Sequence, residues 1–359
     1  MTLHVFNPEH DIALASGLAN FTAPHAGRQL RHDIGFLPAI WAQDGDVILV
    51  DDVEQAQRSW QRLRHWLQTV MNGNWQATET PQFLNRKHAV SAIDIKAIDP
   101  WGWNAALRAE LLRRGTSEAI LPTLTQLETI RQLSHRRTAA ALLQKLRMEG
   151  TVGEAFECRT TEEVDKFVGQ YRQLVLKAPW SSSGRGVRFL CEKRQVDTGW
   201  LHNVMTVQGS IMVEPYYNKV KDFGMEFYSD GKGRVEYLGL SVFHTENGAY
   251  TGNILATEDS KRKMIGRYIP LQLLDCIRDF ICQLLGDVFE GTYSGPFGID
   301  MMVVDGGLLH PCVEINLRRT MGHVALALSP ADDELVRVMR INYSENNYRF
   351  IINRLLSHK

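Results

Sequence analysis

The chain has 359 residues, of which 44% are hydrophobic and 23% charged, an ordinary globular balance that excludes a disordered chain and suggests two or three domains of ~150 residues each. Forty basic residues against 41 acidic ones leave a formal charge of -1, which excludes a global basic field for nucleic acid and a polybasic membrane anchor. No apolar run approaches the ~18 residues of a membrane helix, "MTLHVFNPEHD" reaches charge too soon for a secretory signal, and the five cysteines (Cys158, Cys191, Cys276, Cys282, Cys312) show neither C-x-x-C nor zinc spacing; a cytoplasmic chain with five buried thiols is expected.

In chain order, "LHVFNP" (Leu3–Pro8) reads as a short strand ending in a turn and "DVILVDD" (Asp46–Asp52) as a second. "NAALRAELLRRG" (Asn104–Gly115) has helical apolar spacing and a glycine stop, so the first ~120 residues form an α/β unit. "SHRRTAAALLQKLRMEG" is predicted as a helix capped by Ser134 and ended by Gly150. Next come a capped helix in "TTEEVDKFVGQY" (Thr160–Tyr171) and an apolar "LVL" (Leu174–Leu176) running into Lys177. A Ser/Gly loop and a second strand, "VRFL" (Val187–Leu190), follow. A helix near 195–208 precedes the strand "IMVEPYY" (Ile211–Tyr217). "DFGMEFYSDGKGRVEYLGLSVF" (Asp222–Phe243) gives strands about a tight turn, and "LQLLDCIRDFICQLLG" (Leu271–Gly286) an amphipathic helix.

Two stretches carry chemistry. In "KAPWSSSGRGVRFL", the loop Ser181–Gly186 has few side-chain obstacles, so its backbone N–H groups can approach an anion beside Lys177. A surface hairpin would have the same composition. The loop is not a Walker A motif, because "GRG" leads into a strand and no G-K-[ST] opens a helix. In "GIDMMVVDGGLLHPCVEINLRR", Glu314 and Asn316 share a strand face by the period of two. Asp300 joins them if the hairpin loop is the three-residue Asp305-Gly306-Gly307, with Val304 opposite Leu308 and Asp300 opposite Cys312. Two carboxylates and an amide oxygen on one patch suit Mg²⁺, although Pro311 can shift the register by a bulge.

A strand lysine and a flexible loop, followed more than 100 residues later by an acidic hairpin ending in E-x-N-x-R, resemble the ATP-grasp family over roughly Leu133–Leu328. The resemblance implies an α+β ATP-grasp fold of two subdomains holding Mg-ATP, with Mn²⁺ as an alternative metal. An N-terminal α/β domain would span residues 1–125, the ATP-grasp domain 126–359, and its lid about 151–213. It also implies roles: Lys177 on the phosphates, with Ser182, Ser183, Gly184, Arg185 and Gly186 as the flap. "MVEPYY" becomes the adenine hinge, with Glu214, the C=O of Pro215 and the N–H of Tyr217, and Asp222 meets the ribose. Asp300, Glu314 and Asn316 become the magnesium ligands, and Arg318 the cation beside the transferring phosphoryl group. The family usually has a lysine at the start of the linker helix; here "SHRR" offers Arg136 or Arg137, which takes phosphate in a different geometry.

The implied activity is ATP-dependent ligation of a carboxylate to an amine or thiol through an acyl phosphate, catalysed by Lys177 and Arg318. Phosphoryl transfer to a hydroxyl, or ATP binding without turnover, are the alternatives. Small-molecule substrates are expected, no nucleic acid or membrane partner, and a homo-oligomer is left open. For the acceptor, "FNPEHD" offers Asn7, Glu9, His10 and Asp11, unless Asp11 is only a helix cap. "FHTENGAYTGN" offers His244, Tyr250 and Asn253, unless it is a surface loop. His323 reads equally as structural or substrate-facing, and the tryptophans of "DPWGWN" read as core.

Overall fold

A computed structural model describes residues 1–70, 81–91, 93–181, 186–191, 197–246, 249–332 and 336–354. The N-terminal third runs β1 (Thr2–Val5), α1 (His10–Ser16), α2 (His25–Ile34), β2 (Val47–Val50), α3 (Val53–Val70), β3 (Gln82–Asn85), β4 (Ala97–Pro100) and α4 (Ala105–Arg113). Its four strands form a parallel sheet in the order β3-β2-β1-β4. β2 is the uninterrupted apolar run VILV, buried at every position, as a parallel strand covered on both faces requires.

α5 (Leu124–Leu133) and α6 (Arg136–Lys145) follow. The sequence placed Ser134 as the cap of one helix ending at Gly150. Instead Ser134 closes α5, and the His135 ring accepts from Arg137 N–H as the N-cap of α6, which stops at Leu146. The reason is local: "RQLSHRR" contains an end and a beginning, and a seven-residue window cannot separate them.

A second sheet collects β5 (Phe156–Cys158), β6 (Gln173–Lys177), β7 (Val187–Cys191) and β8 (Ile211–Pro215), with α7 (Thr161–Gln170) and α8 (Thr198–Gln208) in the connections. Its order is β5-β8-β6-β7, all antiparallel, over its own core of Cys158, Leu176, Leu201 and Val213.

The third sheet has seven strands. It is built from β9 (Lys219–Ser229), β10 (Val235–Glu246), β11 (Ala249–Leu255), β12 (Gly295–Val304), β13 (Leu308–Asn316), β14 (Arg337–Ser344) and β15 (Asn347–Arg354) in the order β13-β12-β9-β10-β11-β14-β15. α9 (Glu258–Ile265), α10 (Leu271–Phe289) and α11 (Met321–Ala327) complete the chain. α10 runs to Phe289, three residues beyond the Leu271–Gly286 expected from the sequence; Gly286 sits inside the helix against the carbonyl of Gly233, where a Cβ has no room. Its apolar face (Ile277, Ile281, Leu285, Phe289) joins Phe227, Phe297 and Ile299 of the sheet in the largest core. A second core ties α11 and β15 to the N-terminal helices through Val324, Ile352, Ile34 and Trp60.

Of the cysteines expected to be buried, Cys158 and Cys312 are, whereas Cys276 and Cys282 on α10 are partly exposed. No described helix is long and apolar enough to cross a membrane.

Candidate functional site

The β12–β13 hairpin turns through Asp305, Gly306 and Gly307, and both glycines take left-handed φ values of 80° and 70° that a side chain would strain. Val304 opposes Leu308 as expected, and Met302 opposes His310. Beyond that point the register slips, and Asp300 stands opposite Glu314 rather than Cys312. Pro311, Cys312 and Val313 together face Met301, because Pro311 has no N–H to give the ladder. An insertion of two residues preserves parity, so Asp300 remains on the face of Glu314 and Asn316.

These groups converge with two arginines. Asn316 Nδ2 donates to Asp300 Oδ2 at 3.2 Å, and Arg318 Nη2 donates to Asn316 Oδ1 at 2.8 Å. The Asn316 oxygen is therefore turned to Arg318 and not to the carboxylates, a correction to its expected place in the patch. Arg136, at the first turn of α6, pairs with Glu314 at 2.9 Å. Burial, the Glu314 carboxylate and the buried Glu226 push the Asp300 carboxyl up to about 7. Negative charge is thus in local surplus, a condition a bound cation relieves. Among the described residues no group of three His, Cys, Asp or Glu side chains forms a metal cluster; the donor set here is two carboxylates and one amide.

Arg318 is held from a distance. Its Nε donates to Asp11 Oδ1 and Oδ2 at 3.0 and 3.1 Å and its Nη2 to Oδ2 at 2.8 Å, across 307 residues of sequence. Asp11 is not the cap of α1: Glu9 holds that position, and Asp11 lies in the first turn facing the hairpin. Asn7 and His10 of the same segment turn inward. Asn7 brackets the backbone of Gly102, and the His10 ring lies where a Cβ on Gly102 would come within 2.6 Å. Burial lowers His10 to about 4, so it is a neutral packing group. Trp101 packs edge-on against Phe6 at 5.0 Å, in the core as expected.

Lys177 ends β6, where its Nζ lies 2.5 Å from Glu214 Oε2 on the adjacent β8; the residues are only 8% and 6% exposed. Arg136 donates from Nε to the carbonyl of Ala178 at 3.0 Å and from Nη2 to Ser181 Oγ at 3.2 Å, so one guanidinium bridges the lysine loop and the acidic hairpin. Gly186 returns its carbonyl to Ala178 N–H, and a Cβ there would meet Ser181 at 2.4 Å. Ser182, Ser183, Gly184 and Arg185 lie outside the described residues.

Pro215 closes β8 and the Tyr217 ring meets His310 edge-on at 5.7 Å. Asp222 accepts from Lys219 Nζ and from Thr245 Oγ1, both at 2.5 Å. The Phe243–Asn253 segment, weighed as a surface loop, is mostly strand of β10 and β11. In it Tyr250 donates to Asn253, whose amide donates to the buried Ser241. His323 is structural: its Nδ1 lies 3.0 Å from the buried Glu226 and completes a capping box with Thr320.

Sequence reasoning missed two residues. Glu226 carried no signal beyond residue type. His310 is buried with neither ring nitrogen hydrogen-bonded, between Lys177 and Tyr217; burial and the lysine charge lower it to about 3.

Neither protein-family models nor curated proteins match this chain. Solved structures do. N5-carboxyaminoimidazole synthetase from Staphylococcus aureus, complexed with ADP, is 11% identical with a TM-score of 0.52, covering 96% of this chain and 83% of that one. The biotin carboxylase domain of 2-oxoglutarate carboxylase from Hydrogenobacter thermophilus, with MgADP and bicarbonate, is 14% identical with a TM-score of 0.54 over 95% and 74%. The chain has the ATP-grasp fold. Biotin carboxylase from Campylobacter jejuni, in a β,γ-ATP complex, matches the same fold at 12% identity, a TM-score of 0.52, and 96% and 77% coverage.

Proposed function

We propose that this ATP-grasp chain is an Mg-ATP-dependent ligase that activates a carboxylate as an acyl phosphate for attack by an amine or thiol. The observation that carries the reading is the Asp300–Glu314 cross-strand pair, flanked by Arg136 and Arg318, on a fold shared with structures solved with ADP and MgADP. As a division of labour, residues 1–125 supply the acceptor side and 126–359 the nucleotide side, with a lid at about 151–213.

Asp300, Glu314 and Asn316 would hold Mg²⁺, which when bound neutralises charge on phosphate oxygens. This fits the charge surplus at Asp300 and requires Arg136 to yield Glu314 and the Asn316 amide to turn. Lys177 and Arg136 would bind phosphate oxygens, the first released from Glu214. Pro215 and Tyr217 would read the adenine edge through their backbone and Asp222 the ribose. Arg318, fixed by Asp11, stabilises charge on the transferring phosphoryl group without moving, which is what makes such a group effective.

The chemistry balances without a protein nucleophile. A carboxylate oxygen attacks the γ-phosphorus and ADP leaves; the acceptor nitrogen or sulfur then attacks the acyl carbon, and phosphate leaves with one former carboxylate oxygen as the acceptor loses a proton. The test is the nucleotide product formed with mixed amino acids and small carboxylic acids. ADP and phosphate support the reading, whereas AMP and pyrophosphate overturn it.

A further inference from the structure

A cavity of about 410 Å³, within the size range of small-molecule sites, opens at the carboxyl ends of β1, β2 and β3. Its lining carries six cations (Arg28, Arg31, Arg86, Lys87, Arg113, Arg114) against three acids (Glu9, Asp51, Glu110). The interior charges pair among themselves. Arg31 reaches Glu9 at 2.6 Å and Asp51 at 3.1 Å, Arg86 Nη1 reaches both Glu110 oxygens at 2.7 Å, and Arg114 reaches Glu110 at 3.0 Å. Arg28 bonds only the Ala23 carbonyl, and Lys87 and Arg113 have no acidic partner among the described residues. Pairing therefore leaves the cavity mouth positive.

Two interior groups keep buried polar atoms without a hydrogen-bond partner. Arg86 is 5% exposed, and its Nη2 is buried with no hydrogen-bond partner. An unsatisfied buried donor is costly, the more so on a charged group, so an oxyanion completing the guanidinium would recover that penalty. Glu9 Oε2 is a matching buried acceptor with no partner, suited to a hydroxyl or amine on the same ligand. α1 separates this cavity from the acidic hairpin: Glu9 and Ala13 face the cavity, while Asp11 and Leu14 face Ser181, Glu314 and Asn316. One helix diameter is about 10 Å, the span of a small phosphorylated molecule.

We propose that the cavity binds the phosphate group of the acceptor substrate, a phosphate ester bearing a hydroxyl or amine, with Arg86 Nη2 donating to it and Lys87 and Arg113 at the mouth. A net of three positive charges favours a dianion over a single carboxylate. The proposal rests on the ligase reading for what the bound molecule does, but not for its binding.

The test is calorimetry of the full chain without nucleotide, using inorganic phosphate and ribose 5-phosphate as probes and acetate as the single-carboxylate control. Binding of both phosphate probes is expected, weakened at least tenfold in K87A/R113A, whose exposed side chains leave folding unaffected, and in Arg86→Met. It should be unchanged in Lys177→Ala, which alters the nucleotide side. No phosphate binding, acetate binding as tightly, or loss in Lys177→Ala with retention in K87A/R113A would each overturn the proposal. ATP turnover without phosphate binding removes the cavity assignment alone, and phosphate binding to the cavity without ATP binding removes the ligase reading alone.

Discussion

Replacing Asp11 with asparagine tests how the proposed phosphoryl-facing arginine is held. The side chains of Asp11 and Arg318 are 16% and 15% exposed and share three N–H···O contacts of 2.8 to 3.1 Å. Removing one partner of such a pair leaves the other charge buried, which costs about 3–5 kcal/mol, a large part of a typical 5–15 kcal/mol stability. Asp11→Asn should therefore lose about 3 kcal/mol in urea unfolding. The Asp11/Arg318 double replacement by Asn and Met should be less damaging than the two single losses summed. Burial alone would raise the Asp11 carboxyl, yet Arg318 holds it below its ordinary value of 3.8. A depressed folded value means the clamp's contribution is complete above pH ~4 and fades as pH falls through that lower value. The wild-type-minus-variant difference should accordingly be flat from pH 8 to about 5 and shrink only in stronger acid. A loss below about 1 kcal/mol, or strict additivity in the double variant, would refute the reasoning.

Lys177→Ala should weaken Mg-ATP at least tenfold in calorimetry, about 1.4 kcal/mol, and lower the melting temperature because Glu214 loses its buried partner. Glu314→Gln should abolish turnover with a stability change within about 1 kcal/mol, since loss of the Arg136 pair is offset by relief of repulsion on Asp300; denaturation and rate measurements check both. Glu345 and Asn346 take φ values of 52° and 61° at the β14–β15 turn, so Glu345→Asn with Asn346→Gly should stabilise the chain by about 0.5–1 kcal/mol in urea titration.

What the sequence made legible was local and periodic. The period of two put Glu314 and Asn316 on one face, and "DGG" marked the turn that brings Asp300 near them. The exact partner was hidden because Pro311 breaks a ladder whose repair depends on neighbouring strands. Lys177 at a strand end was readable from the apolar run before it, but its pairing with Glu214 needed the antiparallel neighbour β8. Contacts between distant segments left no trace: nothing near Asp11 points to Arg318, and nothing near Glu226 points to the glycines packed on it. The β14–β15 hairpin was missed for a different reason. Its turn uses Glu345 and Asn346 in place of glycine, so the usual punctuation is absent. The cationic cavity assembles from the ends of β1, β2 and β3 and from the helices α1, α2 and α4, each with an unremarkable charge of its own.

The central claim is that a carboxylate takes the γ-phosphoryl group of ATP at the Asp300–Glu314 hairpin. Incubating the protein with Mg-ATP, ¹⁸O-labelled small carboxylic acids and a pool of amines and thiols, then analysing the released phosphate by mass spectrometry, tests it directly. The account predicts ADP and phosphate carrying one ¹⁸O atom, lost in Glu314→Gln. Unlabelled phosphate, AMP with pyrophosphate, or a phosphorylated alcohol as product would contradict it.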